Sequence, residues 1–399
     1  MDAPNPHRVV ITPLKGILIV VSLLCLIGLV MVLASSSVSS IALYHSPWVI
    51  FILQVVWMLL GAVLCFIGYR IDYHWWRKWR VVLPGLCLFA LTVVLLPGIG
   101  VSAYGSSRWV GFGPVRIQPS EAMKLAMIIF VADLIARRAH QVHVAKKVLL
   151  PVLLLLFVAS VLIMKQPDMG TTMVLWAITL ALLFAGGIPM KTLVKLLGVL
   201  AVLGVLLAYS DPYRRARLLS FINPWAHASS SGYQVVQSII GIGAGGTVGA
   251  GLGVSSDAWG FLPNAHTDFI FAVIGHEMGF IGVFVIITLF TAFGWYGLRV
   301  ATRAPDTFGQ LLAVGITAWI LSQAVINIGA TVGLMPVTGI PLPFVSYGGS
   351  SLSIVMAATG ILANIAKQVE RQPSLRAASL TRRPRYEKFV PTSTTVSFQ

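Results

Sequence analysis

The sequence predicts an all-α integral membrane protein: ten transmembrane helices, both termini in the cytoplasm, and a large extracytoplasmic loop between helices 7 and 8. Three observations carry this. Of 399 residues, 57% are hydrophobic and only 10% are charged, against about 25% charged in soluble domains. A helix needs about 20 mostly apolar residues to cross the hydrocarbon core, and ten runs meet that length within a few residues. The basic residues also fall mainly on alternate connections, the pattern that sets orientation.

The ten runs are 16–35, 48–69, 81–97, 117–135, 148–164, 171–187, 192–209, 268–298, 308–333 and 345–366. The first has a long apolar stretch and no Ala-x-Ala-like cleavage site, so it is expected to stay as a helix. With the N-terminus inside, 21 of the 28 Lys and Arg residues face the cytoplasm, six face outward, and Lys124 lies within a run. Basic residues beside an anionic inner leaflet are favourable. The net charge of +16 therefore needs no nucleic acid as partner. Residues 1–15 read as a cytoplasmic N-terminus and 16–368 as the membrane domain. Residues 369–399, rich in Arg, Ser, Thr and Pro, read as a disordered basic cytoplasmic tail.

Cys25, Cys65 and Cys87 sit singly in apolar runs, where a thiol behaves as a small hydrophobe. Their spacing supports neither a disulfide framework nor a metal site. No Walker A loop is present, which argues against ATP hydrolysis. No Ser-x-x-Lys or Lys-Thr-Gly is present, so the chain is not itself a penicillin-binding transpeptidase. His276-Glu277 begins a zinc-protease pattern but lacks the second His.

The outer loop 210–267 carries unusual chemistry. Arg214, Arg215 and Arg217 run against the orientation rule. They suit either a headgroup face or a phosphate site, because the planar guanidinium binds phosphate oxygens in pairs. Tyr233, Val236, Ile239 and Ile240 have helical spacing, which places part of the loop as a helix in the membrane interface. Gly241-Ile-Gly-Ala-Gly-Gly246 matches a dinucleotide fingerprint in letters only, since no strand precedes it. Close packing or backbone mobility is its expected role.

Polar residues inside or beside apolar runs are expensive and mark functional sites. Asp268 stands where the loop enters an apolar run. It is either a cap for that helix or an acid or base at the membrane surface. Glu121 and Lys124, three apart on one helix face, are placed to pair, as a structural ion pair or in a substrate role. Lys165 and Asp168 anchor a helix end or line the outer cavity. Glu277, nine positions after Asp268, falls on the opposite face of a continuous helix. Gln323 and Asn327 share a face and are expected to make interhelix hydrogen bonds. Ser346-Tyr-Gly-Gly-Ser-Ser351 serves helix packing or a backbone anion nest.

Several long stretches resemble the SEDS family (shape, elongation, division and sporulation), the group of FtsW, RodA and SpoVE. They are Ser107-Arg-Trp-Val-Gly-Phe-Gly-Pro-Val-Arg-Ile-Gln-Pro-Ser-Glu121, Lys165-Gln-Pro-Asp-Met-Gly170, Ala265-His-Thr-Asp-Phe-Ile-Phe271, Asn327-Ile-Gly329 and Pro341-Leu-Pro-Phe-Val-Ser-Tyr-Gly-Gly-Ser350. The resemblance spans about residues 15–368, and Pro212-Tyr-Arg and Asn223-Pro-Trp225 place it nearer the FtsW branch.

The resemblance implies a peptidoglycan glycosyltransferase that polymerises lipid II at the outer face of the bacterial inner membrane, at the division septum. It implies a class B penicillin-binding protein transpeptidase and other divisome proteins as partners. It maps the family's catalytic aspartate onto Asp268, its buried acid–base pair onto Glu121 and Lys124, and its outer-cavity acid onto Asp168. His266, Thr267, Ser120, Lys165 and the three arginines become substrate-contact candidates, with Glu277 and Asn327 in support. No cofactor is required; a divalent cation, Mg or Mn, could share the charge of a departing pyrophosphate. Asn264, Val254-Ser-Ser-Asp-Ala-Trp259 and His276 depart from the family pattern.

Overall fold

The computed structural model describes residues 11–96, 101–103, 106–112, 115–138, 145–209, 212–253 and 265–381, with side chains over a slightly narrower set. Twelve α-helices are described: α1 (Pro13–Tyr44), α2 (Val49–Arg70), α3 (Val82–Val94), α4 (Pro119–Arg137), α5 (Ala145–Lys165), α6 (Met169–Ala185), α7 (Met190–Tyr209), α8 (Pro212–Ile222), α9 (Tyr233–Ala244), α10 (Ile270–Arg303), α11 (Thr307–Thr331) and α12 (Ser350–Thr381). Each of the ten apolar runs coincides with one of them. Among the described residues six helices are long and apolar enough to cross a membrane: α1, α2, α5, α10, α11 and α12. Val82–Val94 and Met169–Ala185 are shorter apolar helices.

Local signals set the ends. Thr12 caps α1, its side chain accepting from the Lys15 amide, with Pro13 opening the helix. Asp306 caps α11 through the Gly309 amide at 3.1 Å, and Asp168 caps α6 through the Thr171 amide at 3.0 Å. The backbone of α12 runs on to Thr381, past the boundary at 368 suggested by composition. Residues 382–399 lie outside the described residues.

The centre is α11, which packs on α10, α6, α4 and α12 and buries Trp319, Ile320 and Gln323 completely. The α2–α12 contact rests on small residues: a Cβ on Gly360 would strike the Cys65 backbone, and one on Gly68 the Ala357 carbonyl. Helices in lipid associate through such close packing.

Two features depart from a simple bundle. A three-stranded antiparallel sheet stands between α3 and α4, with β1 (Val101–Ala103), β2 (Ser106–Phe112) and β3 (Val115–Ile117) in that order. The expectation of an all-α chain is corrected by it. Val101, Trp109, Val110, Val115 and Ile117 are residue types that favour a pleated surface. Second, α10 is broken at Gly279, where φ is 63° and ψ is −158°, a region open essentially to glycine alone.

The glycine run after α9 repairs that break. The Ala250 and Gly251 amides donate to the His276 and Glu277 carbonyls at 2.9 and 3.1 Å, and the Phe280 and Ile281 amides donate to the Gly246 and Thr247 carbonyls at 2.9 and 3.3 Å. Irregular backbone at membrane depth persists only when protein satisfies it. Gly245 and Gly249 lie so close to this segment that a Cβ on either would strike a carbonyl of Gly275 or Glu277. Close packing is therefore what this run does. Glu277 sits just before the break, whereas Asp268 lies in the turn ahead of the helix, so helical spacing does not relate the two.

Gly279→Ala is expected to destabilise the protein by about 1–3 kcal/mol from backbone strain alone. Gly243→Ala, in a helix with open space around it, should be neutral or stabilising. Melting temperatures in detergent decide; equal effects at the two positions would contradict the account.

Candidate active site

Asp268 sits two residues ahead of α10, in a turn built by Ala265-His-Thr-Asp. The N-cap of α10 is Phe269, with no side-chain cap. Capping is thus not the role of Asp268. Its main chain is held from α11: one Asn327 amide nitrogen donates to the Asp268 carbonyl at 2.9 Å and to the Ile340 carbonyl at 2.8 Å. The Tyr347 amide donates to the His266 carbonyl at 2.9 Å. The turn and the 332–349 loop are thereby locked together. The expected interhelix role holds for Gln323, which accepts from Lys124 of α4 at 2.8 Å and also donates to the Pro341 carbonyl at 3.0 Å; Asn327 reaches loop carbonyls instead.

The half-buried Asp268 carboxylate faces Gly339, whose positive φ of 72° leaves no side chain in the way. Burial pushes its pKa up to about 6, while the Arg217 and Arg108 charges and a hydrogen bond from Thr267 pull down, and Asp168 pushes up. Burial takes His266 down to about 4, so its imidazole is neutral at physiological pH.

Arg217, on α8, donates to the Val337 carbonyl at 3.1 Å. Arg108, on β2, donates to the Gln166 and Pro167 carbonyls at 3.0 and 2.5 Å. The sheet thereby holds the Arg108 charge within electrostatic reach of Asp268. Asp168 is buried; it takes hydrogen bonds from the Thr171 hydroxyl at 2.8 Å and Gln118 Nε2 at 2.9 Å. Gln118 also donates to Ser120 at 3.0 Å.

Beneath this outer layer lies the Glu121–Lys124 pair at 2.8 Å, with both side chains buried. Lys124 also donates to Gln323 Oε1 at 2.8 Å and stands 5.0 Å from the centre of the Trp319 ring. The Ser351 hydroxyl donates to the other Glu121 oxygen at 2.8 Å. Charge and donors are thus fully engaged, as a buried pair requires.

The remaining candidates separate. Lys165 and Arg215 are exposed, and neither makes an ion pair among the described residues. The Arg214 side chain, Asn264 and residues 254–259 lie outside the described residues. Sequence reasoning missed Arg108, Gln118 and Ser351 as site residues. Arg108 and Gln118 were inside a quoted stretch, and Arg108 was one of only six outward cations. Among the described residues no three His, Cys, Asp or Glu side chains gather as a metal cage.

The fold and site together define a multi-pass membrane enzyme with one half-buried carboxylate beside two guanidinium groups. The chain belongs to the FtsW/RodA/SpoVE family, described as cell cycle proteins, whose profile it matches over residues 15–371. It is 40% identical to stage V sporulation protein E of Bacillus subtilis over 353 residues, 88% of this chain and 96% of that one. It is also 40% identical to a probable peptidoglycan glycosyltransferase FtsW of Trichlorobacter lovleyi over 372 residues, covering 92% and 97%. A chain from a peptidoglycan synthase complex that coordinates polymerization and crosslinking superposes with a TM-score of 0.75 at 27% identity, covering 89% and 97%. The fold is shared with RodA of Thermus thermophilus at a TM-score of 0.66, covering 91% and 99%.

Lys124→Met should leave Glu121 buried and uncompensated, at about 3–5 kcal/mol of stability. The double variant Glu121→Gln/Lys124→Met should recover most of that loss. Thermal melts of both in the same detergent test the pair; no recovery in the double variant would show that lost packing, not charge, is the cause.

Proposed function

We propose that this chain polymerises lipid II into β-1,4 glycan strands at the outer face of the cytoplasmic membrane, releasing undecaprenyl pyrophosphate, in septal wall synthesis. The chain is a peptidoglycan glycosyltransferase. The observation that carries the mechanism is a single carboxylate, Asp268, held near pKa 6 beside Arg217 and Arg108. In this reading all ten apolar helices cross the membrane, both termini are cytoplasmic, 1–15 and 369–399 flank the membrane domain, and the Asp268 end faces outward.

Asp268 takes the proton of the acceptor sugar 4-hydroxyl as that oxygen attacks the donor anomeric carbon. A base with pKa close to the working pH is ionised at neutrality yet still basic. The pyrophosphate leaves as an anion and needs no proton donor, unlike the leaving group of two-carboxylate glycosidases. Arg217 and Arg108 stabilise its charge. A single displacement inverts an α-linked donor to a β-linked product. A divalent cation, Mg or Mn, would supply further charge stabilisation to the departing pyrophosphate. A class B penicillin-binding protein transpeptidase is the proposed partner, supported by the synthase complex whose chain superposes.

A lipid II flippase would need a polar route between the faces. Below Lys124, α4 presents Leu125, Ala126, Met127, Ile128, Ile129, Val131 and Ala132, all buried and apolar, which favours the polymerase.

Asp268→Asn is expected to lower the glycan polymerisation rate by about 10²–10⁴-fold with the partner transpeptidase still bound. Wild-type polymerisation from lipid II, followed as glycan ladders on gels, is the readout. The base must be ionised, so the rate falls below a pH of about 6, roughly tenfold per pH unit. Arg217→Ala removes the leading downward pull on Asp268, so the acid limb moves to higher pH. A limb that stayed in place or moved down would refute this electrostatic role.

A further inference from the structure

At the far end of α11 from Asn327, 21 residues or about 30 Å along the helix, lies a cavity of about 480 Å³. It is formed where α2 ends, α11 begins and α12 passes, and Arg70, His74, Lys367 and Arg371 line it with Asp72 and Asp306. Its volume is in the range of small-ligand pockets, roughly 300–1,000 Å³.

The charges divide unevenly in their engagement. Asp306 accepts from the Tyr73 hydroxyl at 2.6 Å and from the Gly309 amide at 3.1 Å. Asp72 accepts from the His74 amide at 2.8 Å and from Gln368 at 3.0 Å. The His74 ring lies between the two, 2.7 Å from Asp72 and 3.5 Å from Asp306. Both acids are consumed by the protein. Arg70 and Lys367 make no ion pair among the described residues; each lies over an aromatic ring, Phe66 at 5.5 Å and Tyr69 at 4.5 Å. A cation held by a ring face keeps N–H groups for a further acceptor.

We propose that this cavity is a binding site for a phosphate group, separate from the Asp268 site. Arg and Lys donors suit phosphate oxygens, and the volume leaves room for an organic group attached to the phosphate. The occupant bridges α2, α11 and α12. The phosphate comes from a membrane lipid headgroup or from a soluble phosphate compound.

The full chain is tested in detergent by native mass spectrometry with phosphatidylglycerol, and by thermal melting with inorganic phosphate. Four proteins are compared: wild type, Arg70→Ala/Lys367→Ala, Arg70→Lys/Lys367→Arg, and Lys191→Ala/Lys195→Ala, which removes the same charge from exposed positions outside the cavity. Support for the lipid source is a fivefold or greater loss of bound phosphatidylglycerol in Arg70→Ala/Lys367→Ala alone. Support for a soluble source is a phosphate-induced rise in melting temperature lost in that variant alone. Equal binding by all four proteins, or equal losses in both alanine variants, overturns the proposal. Should the cavity alanine variant fail to fold, Lys367→Gln replaces it, with a smaller loss expected and the same outcomes overturning the idea.

Discussion

One buried ion pair organises the half of this molecule that carries Asp268. Lys124 and Glu121 are both buried, and an uncompensated charge there would be costly. The cost is met by recruiting Gln323 from α11 and Ser351 from α12. Three helices are thereby registered to within a hydrogen bond of one another. Gln323, once fixed by Lys124, grips the Pro341 carbonyl, and Asn327 one turn further on grips Ile340 and Asp268. The chain of polar contacts ends at the backbone of the turn that carries Asp268. Precision at the surface thus begins as an electrostatic debt in the interior.

The site itself divides labour between rigid and irregular parts. Asp268, Arg108 and Arg217 come from a turn, a strand and a short helix, and each is fastened by backbone carbonyls or amides of a neighbouring segment. The Asp268 carboxylate remains half-buried, so its pKa rises toward neutrality instead of being lost to a salt bridge. His266, neutral at physiological pH, adds polarity without charge.

Much of this was legible in the amino-acid sequence. Apolar length alone found every helix later seen at the ten runs, and the rarity of carboxylates made Asp268, Asp168 and Glu121 conspicuous. What escaped was set by contacts distant in sequence. The role of Arg108 depends on a sheet of three short strands, whose period is too brief to stand out beside long helices. The partners of Asn327 are carbonyls, which carry no residue identity. The break at Gly279 is invisible because His276-Glu-Met-Gly-Phe280 reads as uninterrupted helix, and only the apposed glycine run reveals that its hydrogen bonds go elsewhere.

That break also bears on how the chain is made. Gly245 to Gly251 precede the segment they bond, so they leave the ribosome first. Synthesis proceeds from the N-terminus, and the segment that completes the broken helix has already been made when residues 276–281 arrive. Reversing the order of these two segments would leave a helix with exposed amides waiting in lipid for its complement. The chain's linear order is therefore itself a protection against a costly intermediate.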